Sequence, residues 1–324
     1  MTVFGYHCSH EQIAPSRLLR HVVRAEQAGF DASMCSDHLA PWGVAQGHSG
    51  YAFSWLAAAL QATTLPFGVV TAPGQRTHPT TTAQAIATLG EMYPGRFWAA
   101  LGSGEALNEH VTGDPWPDKE TRERRLRECV DVIRDLLAGE EVTHRGEVRV
   151  DRARVWSLPE VAPPLVAAAV SPESAARHAT WADGLITVGC DPRAVREVIE
   201  AYREAGGRGP VRLQVHLAWG ADDAESFAMA RRDWANGTVP PPESWDIPTP
   251  QQFDQRVGAV TDDELAAAMI VSGDASVHRD RLAELVDAGF DELMLHQVGA
   301  DARAQEAFID TFGERVLPEL RTLA

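Results

Sequence analysis

The sequence predicts a single (β/α)8 barrel, a TIM barrel that spans residues 1–324. Eight short apolar runs alternate with longer segments of helical spacing, which is the pattern of repeated βα units. Two polar segments, 36–42 and 102–109, directly follow apolar runs, as at the carboxyl ends of parallel strands. The length of 324 residues suits one large barrel, and an open doubly wound sheet is the alternative that this pattern leaves open.

The predicted elements follow the chain in order. The strands are Val3–Cys8, Ala32–Cys35, Phe67–Thr71, Phe97–Leu101, Leu165–Ala169, Leu185–Val188, Leu213–Ala218 and Glu292–His296. The helices are Pro15–Gly29, Tyr51–Thr63, Pro79–Tyr93, Lys119–Leu137, Glu173–Trp181, Pro192–Ala205, Asp222–Arg232 and Ser276–Ala288. Glycines lie where four of these helices should end, and prolines open two of them, which supports the boundaries. The phrase AEQAGFDA before the second strand returns as LVDAGFDEL before the eighth, a weak internal repeat typical of a barrel.

One segment after the seventh strand interrupts the alternation. Residues 236–256 contain five prolines and Trp245, and Trp234 comes just before them. The segment is too long and too rich in proline for a plain connection, so we predict an insertion that covers the barrel mouth as a substrate lid. A solvent-facing loop packed by its own tryptophans is the alternative interpretation.

The composition excludes several classes of protein. Hydrophobic residues make up 44% and charged residues 23%, as in ordinary soluble globular proteins. The formal net charge of −17 gives no basic face for nucleic acid and argues against binding to anionic membranes. An anionic small molecule is still compatible, because backbone N–H groups at a helix start can hold phosphate.

Cysteine spacing and the first residues predict a cytoplasmic protein. Cys8, Cys35, Cys129 and Cys190 form neither a CxxC pair nor a disulfide framework. The N-terminal segment lacks a basic leader followed by an apolar stretch, and no run approaches the roughly 20 apolar residues that span a bilayer. We therefore expect no membrane association.

The strongest candidate for chemistry is the segment after the second strand. His38 follows Asp37 at the predicted strand end, and Trp42 lies four residues further on. An imidazole in this position could act as a general base, because its pKa lies near working pH. A histidine that only forms ordinary hydrogen bonds at a strand end is the alternative, and the neighbouring acid and indole favour the functional interpretation.

Two further strand ends carry candidates. Glu105 follows a Gly-x-Gly turn whose glycines let the backbone approach a ligand closely, and its carboxyl group could transfer a proton. For Glu109, one turn later, a structural role at a helix start is the preferred interpretation. The small-residue strand ending at Ala169 leads into Ser171, where free N–H groups could take a phosphate.

Other chemistries are less well supported. Cys8, His10, Cys35, Asp37 and His38 are plausible metal ligands, yet no two-histidine-plus-acid spacing stands out, so we predict no metal site. The chain has no Gly-x-Ser-x-Gly motif for a serine hydrolase. It also has no Gly-x-Gly-x-x-Gly motif after the first strand, which argues against a Rossmann dinucleotide site.

The chain resembles the luciferase-like flavin oxidoreductase superfamily, whose members are (β/α)8 barrels of the bacterial-luciferase type that use FMN or the deazaflavin F420. The resemblance runs nearly end to end and is closest to the branch around F420-dependent glucose-6-phosphate dehydrogenase. It rests on GYHCSHEQIAP, SDHLAPW, GHSGYAFSWLAAAL, GEMYPGRFW and GSGEALNE, which begin at residues 5, 36, 47, 90 and 102. The last two motifs are specific when they occur in this order.

The resemblance implies a role for each candidate residue. His38 would take the proton of the substrate hydroxyl, Trp42 would stabilise the intermediate, Glu105 would act as an acid near the ring, and Glu11 would line the site. The implied cofactor contacts are Asp37, Val69, Val70, Thr71, Gly104, Asn108, Ala168, Ala169, Val170 and Ser171. In the superfamily the third strand often ends in a non-proline cis peptide, which would fall at residues 69–71.

The chain also departs from the sugar-phosphate dehydrogenases. Their substrate phosphate is held by cations, and the matching positions here are Asp191 and Ala268, with Lys119 the only lysine in the chain. A sugar phosphate is therefore not the expected substrate. F420 carries a polyanionic tail that suits basic residues, so this acidic chain resembles an FMN-using sister group more closely, with F420 as the alternative cofactor.

The sequence thus predicts a flavin-dependent oxidoreductase that acts on a small organic substrate. The His38–Glu105 pair favours hydride transfer coupled to proton transfer. Reductase-coupled monooxygenation is the other possibility, and it would require a separate flavin reductase as partner. A flavin-binding carrier without turnover is the alternative from another class, and a metal-dependent hydrolase on the same fold ranks below it. Relatives often form homodimers, which we expect here as well.

Overall fold

The computed structural model describes residues 2–323, and its centre is a closed barrel of eight parallel strands. In chain order, β1 to β8 are Val3–Cys8, Ala32–Ser36, Phe67–Thr71, Phe97–Leu101, Leu165–Ala168, Leu185–Val188, Val211–Ala218 and Glu292–Gln297. Each strand pairs with the next in parallel, and β8 pairs with β1 to close the ring. The predicted (β/α)8 barrel is confirmed, and the open sheet is not formed.

Helices surround the barrel. In chain order, α1 to α14 are Pro15–Gln27, Ala52–Ala62, Pro79–Met92, Ala106–Glu109, Lys119–Leu137, Pro172–His178, Pro192–Glu204, Asp223–Asp233, Glu243–Asp246, Pro250–Val257, Asp262–Ala268, Ala275–Asp287, Ala302–Thr311 and Leu317–Leu323. Two of the predicted stop glycines, Gly29 and Gly289, have φ of +93° and +106° and follow α1 and α12. A side chain would strain this backbone, so glycine ends both helices.

Side chains along each barrel strand alternate between the outer core, which faces the helices, and the barrel interior. On β1, Phe4, Tyr6 and Cys8 face outward into the large apolar core between strands and helices. The residues between them face the barrel interior, as the two-residue period of a strand requires. A smaller apolar cluster fills that interior, formed by Ala32, Met34, Trp98, Ala100, Val166, Ile186 and Met294.

Large side chains close the bottom of the barrel. Gly68 is paired with Trp98, and a Cβ at Gly68 would lie 2.0 Å from the indole, so only glycine leaves room for the ring. The Arg212 guanidinium lies 4.5 Å from the Trp98 ring centroid, and its Nη2 is 2.8 Å from Glu292 Oε1. The interior is therefore solid at this end, and open space is left only at the carboxyl ends of the strands.

Several elements were not predicted. An antiparallel hairpin, Val142–Arg145 with Arg149–Ala153, lies between α5 and β5, and Ile270–Val271 adds a short strand beside the end of β7. The hairpin is rich in charged residues, and the short strand is only two residues long. Neither therefore gives an apolar run in the sequence. The chain also continues beyond β8 as α13 and α14, joined by a π-helical turn at Phe312–Val316.

The segment after β7 contains helices in place of an irregular insertion. Ala235–Thr238 forms a 3₁₀ turn, and the short helices α9, α10 and α11 follow before the chain returns to the barrel. Trp234 packs against the barrel residues His216 and His296, and both Trp234 and Trp245 line the cavity described below. The segment thus lies at the barrel mouth, and its action as a lid stays a prediction.

None of the helices within residues 2–323 combines the length and the apolar character needed to cross a membrane.

Candidate functional site

A cavity of about 740 Å³ opens at the carboxyl end of the barrel. This volume lies in the range of pockets that enclose small molecules and cofactors. Its walls come from the segments that follow most of the barrel strands and from the segment after β7. The four residues predicted to be catalytic, Glu11, His38, Trp42 and Glu105, all line it.

His38 lies between two carboxylates. Its Nδ1 is 2.9 Å from Glu11 Oε1, and its Nε2 is 3.9 Å from Glu105 Oε2. Glu11 is fully buried, and its other oxygen accepts a hydrogen bond of 2.8 Å from the Ser9 hydroxyl. His38 and Glu105 are half-buried, with 15% and 26% of their side chains exposed, so both can meet a ligand.

Burial and neighbouring charges shift the pKa values of His38, Glu11 and Glu105 in different directions. Burial alone would lower the pKa of His38, but the negative charges of Glu11 and Glu105 outweigh burial and raise it. Burial opposes ionisation of Glu11, yet the facing imidazole lowers the pKa of Glu11 to about 2. Burial raises the pKa of Glu105, against the opposing effect of His38. Adjacent groups with diverging pKa values are typical of acid–base sites.

Asn108 and Trp42 shape the loop that carries His38. The amide oxygen of Asn108 accepts hydrogen bonds from the backbone N–H groups of Leu39 and Ala40, at 2.8 and 3.4 Å. The Trp42 ring packs edge-on against His38, with ring centroids 5.2 Å apart, and against Phe253 of α10 at 5.3 Å. Asn108, predicted to contact the cofactor, lines the cavity and also holds this loop in place.

Asp37 lies at the cavity wall and has one carboxylate oxygen without a hydrogen-bond partner among the described residues. Its Oδ2 accepts hydrogen bonds from the Thr71 hydroxyl and from Arg76 Nη2, both at 2.9 Å. Its Oδ1 is buried and has no partner among residues 2–323, although the residue lines the cavity. A buried polar atom without a partner is costly, so a ligand that donates a hydrogen bond to Oδ1 would fit this position.

Arg76 is a site residue that the sequence analysis missed. Its Nη2 also donates to the Asp37 carbonyl oxygen at 2.8 Å. The backbone N–H of Arg76 donates to Glu109 Oε2, and Arg76 Nε lies 3.8 Å from Glu109 Oε1. The guanidinium therefore neutralises two buried carboxylates. Arg76 is the sole charged residue between Thr64 and Gln84, a signal that could have identified it.

One wall of the cavity is built from small residues at the ends of β3, β4 and β5: Ala72, Gly102, Gly104, Ala168 and Ala169. At Gly104, φ is +85°, and a Cβ would come within 3.1 Å of Glu109 and 3.4 Å of Ala72. A wall of small residues beside Asp37 leaves room for a planar heterocycle. The residues present therefore fit a flavin or deazaflavin.

The structure places some of the other predicted cofactor residues in the cavity lining and others outside it. Val70, Thr71 and Val170 line the cavity, whereas Val69 and Ser171 do not. Val69 faces the outer core because side chains alternate along β3, and Ser171 caps α6 by accepting from the Ser174 N–H. The expected non-proline cis peptide is also not formed at residues 69–71, since the cis bond within the described chain joins Pro241 and Pro242.

The five plausible metal ligands are not brought together. Cys8 Sγ lies 3.2 Å from the Ser33 hydroxyl, and His10 packs edge-on against Trp55 with ring centroids 4.9 Å apart. Within residues 2–323, no group of three or more His, Cys, Asp or Glu side chains has a geometry that could hold a metal ion.

A closed parallel barrel with an acid–base cluster at its carboxyl mouth defines an enzyme of the (β/α)8 class. Comparison with known proteins identifies the group. The family described as "Luciferase-like monooxygenase" matches residues 2–292, so this chain belongs to the luciferase-like monooxygenase family. The predicted family and the predicted class, a flavin- or deazaflavin-dependent oxidoreductase, are confirmed.

Individual relatives are similar over almost their whole length. F420-dependent glucose-6-phosphate dehydrogenase of Beutenbergia cavernae is 35% identical, with 99% of this chain and 98% of that protein covered. The same enzyme of Microbacterium testaceum is 36% identical, with 98% and 97% covered. Among solved structures, an F420-dependent secondary alcohol dehydrogenase in complex with an F420–acetone adduct gives a TM-score of 0.89 at 29% identity, covering 99% of each chain.

Proposed function

We propose that this protein is an F420-dependent dehydrogenase that oxidises a secondary alcohol without a phosphate group. The observation that carries the proposal is the position of His38, which lies in the cavity between Glu11 and Glu105. Oxidation of an alcohol needs a base for the hydroxyl proton, and this arrangement supplies one beside a group able to hold a proton.

Each residue of the cluster has a distinct task. The unprotonated His38 accepts the hydroxyl proton at Nε2, and the ionised Glu11 orients the ring and stabilises the imidazolium that forms. Burial raises the pKa of Glu105, which favours its protonated form relative to that of an exposed carboxyl group. A deazaflavin held in the cavity would supply the hydride acceptor that oxidation of an alcohol to a ketone requires. Asp37, Gly104 and Ala168 would hold that group.

F420 is the favoured cofactor because the curated relatives at about 35% identity bear F420 in their names. The earlier preference for FMN rested on the acidic net charge of the chain. Local charge differs from the net charge: Lys119 and Arg122 line the cavity, where they also pair with Glu173 and Asp246. These two cations are suited to the anionic tail of F420. FMN becomes the alternative that the first experiment tests.

The wall that matches the phosphate site of the sugar-phosphate dehydrogenases argues against a phosphorylated substrate. Asp191 and Ala268 line the cavity there, and Asp191 caps α7 by accepting from the Arg193 N–H. Within the described chain, the lysines and arginines that line the cavity are Lys119 and Arg122 alone. Substrates such as 2-propanol therefore suit this wall better than glucose 6-phosphate, which needs cations beside its phosphate.

The first prediction concerns cofactor choice. Titration of the purified protein, followed by cofactor fluorescence, should give a dissociation constant for F420 at least about tenfold below that for FMN. Addition of a secondary alcohol to the F420 complex should then bleach the visible absorbance of the cofactor, and glucose 6-phosphate should not. Tight FMN binding without F420 binding would contradict the proposal and favour oxygenation with a separate reductase.

Two associated expectations have grounds outside the site: the homodimer rests on the resemblance, and the cytoplasmic location rests on the cysteine spacing and the first residues. We propose a homodimer, and gel filtration with light scattering would test it. We propose a cytoplasmic location, which fractionation of the source cells would test. The dehydrogenase proposal needs neither of them, and it needs no flavin reductase, because the alcohol itself supplies the reducing equivalents.

The second prediction concerns pH. His38 must be unprotonated to accept the hydroxyl proton, and its raised pKa means that kcat/KM for alcohol oxidation falls as the pH drops through a value above 6.5. Glu11→Gln removes a negative charge that raises this pKa, while burial, which lowers it, is unchanged. The acid limb of the pH profile should therefore move to lower pH in Glu11→Gln.

Glu140→Gln is the matched control for this prediction. Glu140 is exposed and lies outside the cavity, and the variant changes the net charge by the same amount. Its pH profile should coincide with that of the unmodified protein. An acid limb that stays in place in Glu11→Gln would mean that Glu11 does not control the protonation of His38.

A further inference from the structure

The barrel interior is polar on one side, at β7, β8 and β1. Polar residues alternate with outward-facing leucine and valine along β7, and His216 is the last of them inside the barrel. His216 is paired with His296 of β8, and the two ring centroids are 5.1 Å apart. The His7 ring of β1 lies 4.5 Å from that of His296. Three imidazoles thus form a single layer, here called the imidazole layer.

The hydrogen bonds of the imidazole layer fix its proton positions. Gln12 donates through Nε2 to the Val298 carbonyl, so its Oε1 accepts from His296 Nε2 at 2.8 Å. The unprotonated nitrogen of His296, Nδ1, is buried without a partner among the described residues. The Gln214 amide nitrogen lies 3.2 Å from His216 Nε2 and donates to it, which places the proton of a neutral His216 on Nδ1.

The layer carries no charge at neutral pH. Burial lowers the pKa of His7 to about 3 and that of His216 to about 4. Burial also holds the pKa of His296 well below its usual value, with a further contribution from the two neighbouring rings. Each neutral ring offers one donor and one acceptor, so the layer suits an uncharged polar group better than an ion.

Two members of the layer reach the cavity with hydrogen-bonding capacity to spare. His7 and His216 line the cavity, and the Nδ1 atom of His7 is buried without a hydrogen-bond partner within residues 2–323. Gln214 contacts Nε2 of His216, so the proton-bearing Nδ1 is free of that contact. Buried polar groups normally have partners, and a ligand oxygen would supply them.

Their place in the barrel indicates which ligand this is. The small-residue wall that fits the cofactor lies at β3 to β5, whereas the imidazole layer lies at β7, β8 and β1, in the other half of the ring. Glu11, which follows β1, belongs to the same half and contacts His38. The layer therefore faces the space beside the base, where the substrate lies if the proposed function holds.

We propose that His7 and His216 form a subsite for a second, uncharged oxygen of the substrate, so that diols and hydroxyketones are preferred over simple alcohols. The inference rests on the proposed function for the first hydroxyl, at His38. A hydroxyl group both donates and accepts, which matches a pair of neutral imidazoles. A carboxylate would meet no cation in the layer, and an ammonium group would meet no free carboxylate in it.

The test compares three probes of similar size: cyclohexanol, trans-1,2-cyclohexanediol and 3-hydroxycyclohexanecarboxylate. Binding is followed by the fluorescence of Trp42 and Trp234, which both line the cavity, with and without F420. The diol should bind about tenfold more tightly than cyclohexanol, the effect of one added hydrogen bond, and the carboxylate should bind no better. His7→Leu and His216→Leu should abolish this preference, and His7→Gln, which keeps a donor and an acceptor, should retain part of it.

His21→Leu is the matched control. His21 is buried in α1, has no partner for either ring nitrogen within the described chain, and lies outside the cavity. It should leave the diol preference unchanged. Equal binding of diol and cyclohexanol, or a preference that survives in both leucine variants, would overturn the inference. Failure of F420 to bind or to be reduced would instead overturn the proposed function, since probe binding is read without turnover.

Discussion

Replacing His38 with alanine should lower kcat/KM for F420-dependent alcohol oxidation by about 10²- to 10⁴-fold, the usual contribution of a positioned general base. Binding of F420 should change little, because the predicted cofactor contacts that line the cavity lie at Asp37 and at the ends of β3, β4 and β5. The loss should therefore be in turnover. Stopped-flow bleaching of the cofactor, with the dissociation constant measured on the same preparation, separates the two quantities.

His48→Ala is the matched control for His38→Ala. His48 is an exposed histidine ten residues further along, outside the cavity lining, and its removal should leave turnover within about twofold. Added imidazole should restore part of the activity of His38→Ala by occupying the vacated space. Unchanged turnover in His38→Ala would remove the base from the mechanism. Absence of turnover in the unmodified protein, with cofactor binding intact, would instead favour the flavin carrier.

The sequence was sufficient to predict the barrel because each βα unit is specified locally. Apolar runs for β1 and β3 predicted the observed strands, since a strand buried on both sides needs no distant partner to be recognised. The hairpin at residues 142–153 was not predicted, because its charged residues lie at the surface and give no apolar run. Its stability comes from pairing and from contacts with α5, which are properties of the folded chain.

The site was predictable only where its residues follow one another in the chain. The motif around His38 and the motif around Glu105 both lie at strand ends, so a strand pattern alone places them at the same mouth. The resemblance implied that Val69 contacts the cofactor together with Val70 and Thr71. Alternation along the strand directs its side chain to the outer core instead.

The imidazole layer depends on how the strands pair, which the sequence alone does not reveal. More than two hundred residues separate His7 from His216 in the sequence. Closure of the barrel brings both of them into one layer with His296. A local signal was nonetheless present, because VRLQVHLA alternates between polar and apolar residues along the whole of β7. In a closed barrel such alternation indicates a polar interior.

Arg76→Met should destabilise the protein by about 3–5 kcal/mol, the usual cost when one partner of a buried ion pair is removed. The Asp37 side chain is fully buried, and only 12% of that of Arg76 is exposed, so water cannot replace the guanidinium. Methionine fills similar space without charge and leaves both Asp37 and Glu109 uncompensated. Urea unfolding at neutral pH, with and without F420, measures the loss.

Two comparisons separate lost charge pairing from lost packing. Arg127→Met removes an exposed arginine that pairs with Asp131 on the surface of α5, and it should cost less than about 1 kcal/mol. Asp37→Asn combined with Arg76→Met should recover part of the stability, because one uncompensated carboxylate is then neutral. Burial already raises the pKa of Glu109, so its protonation as the pH falls should reduce the deficit of Arg76→Met. A deficit that is the same at low and neutral pH, and in the double variant, would mean that Arg76 acts by packing. The charge network would then not be what holds the Asp37 carboxylate in place.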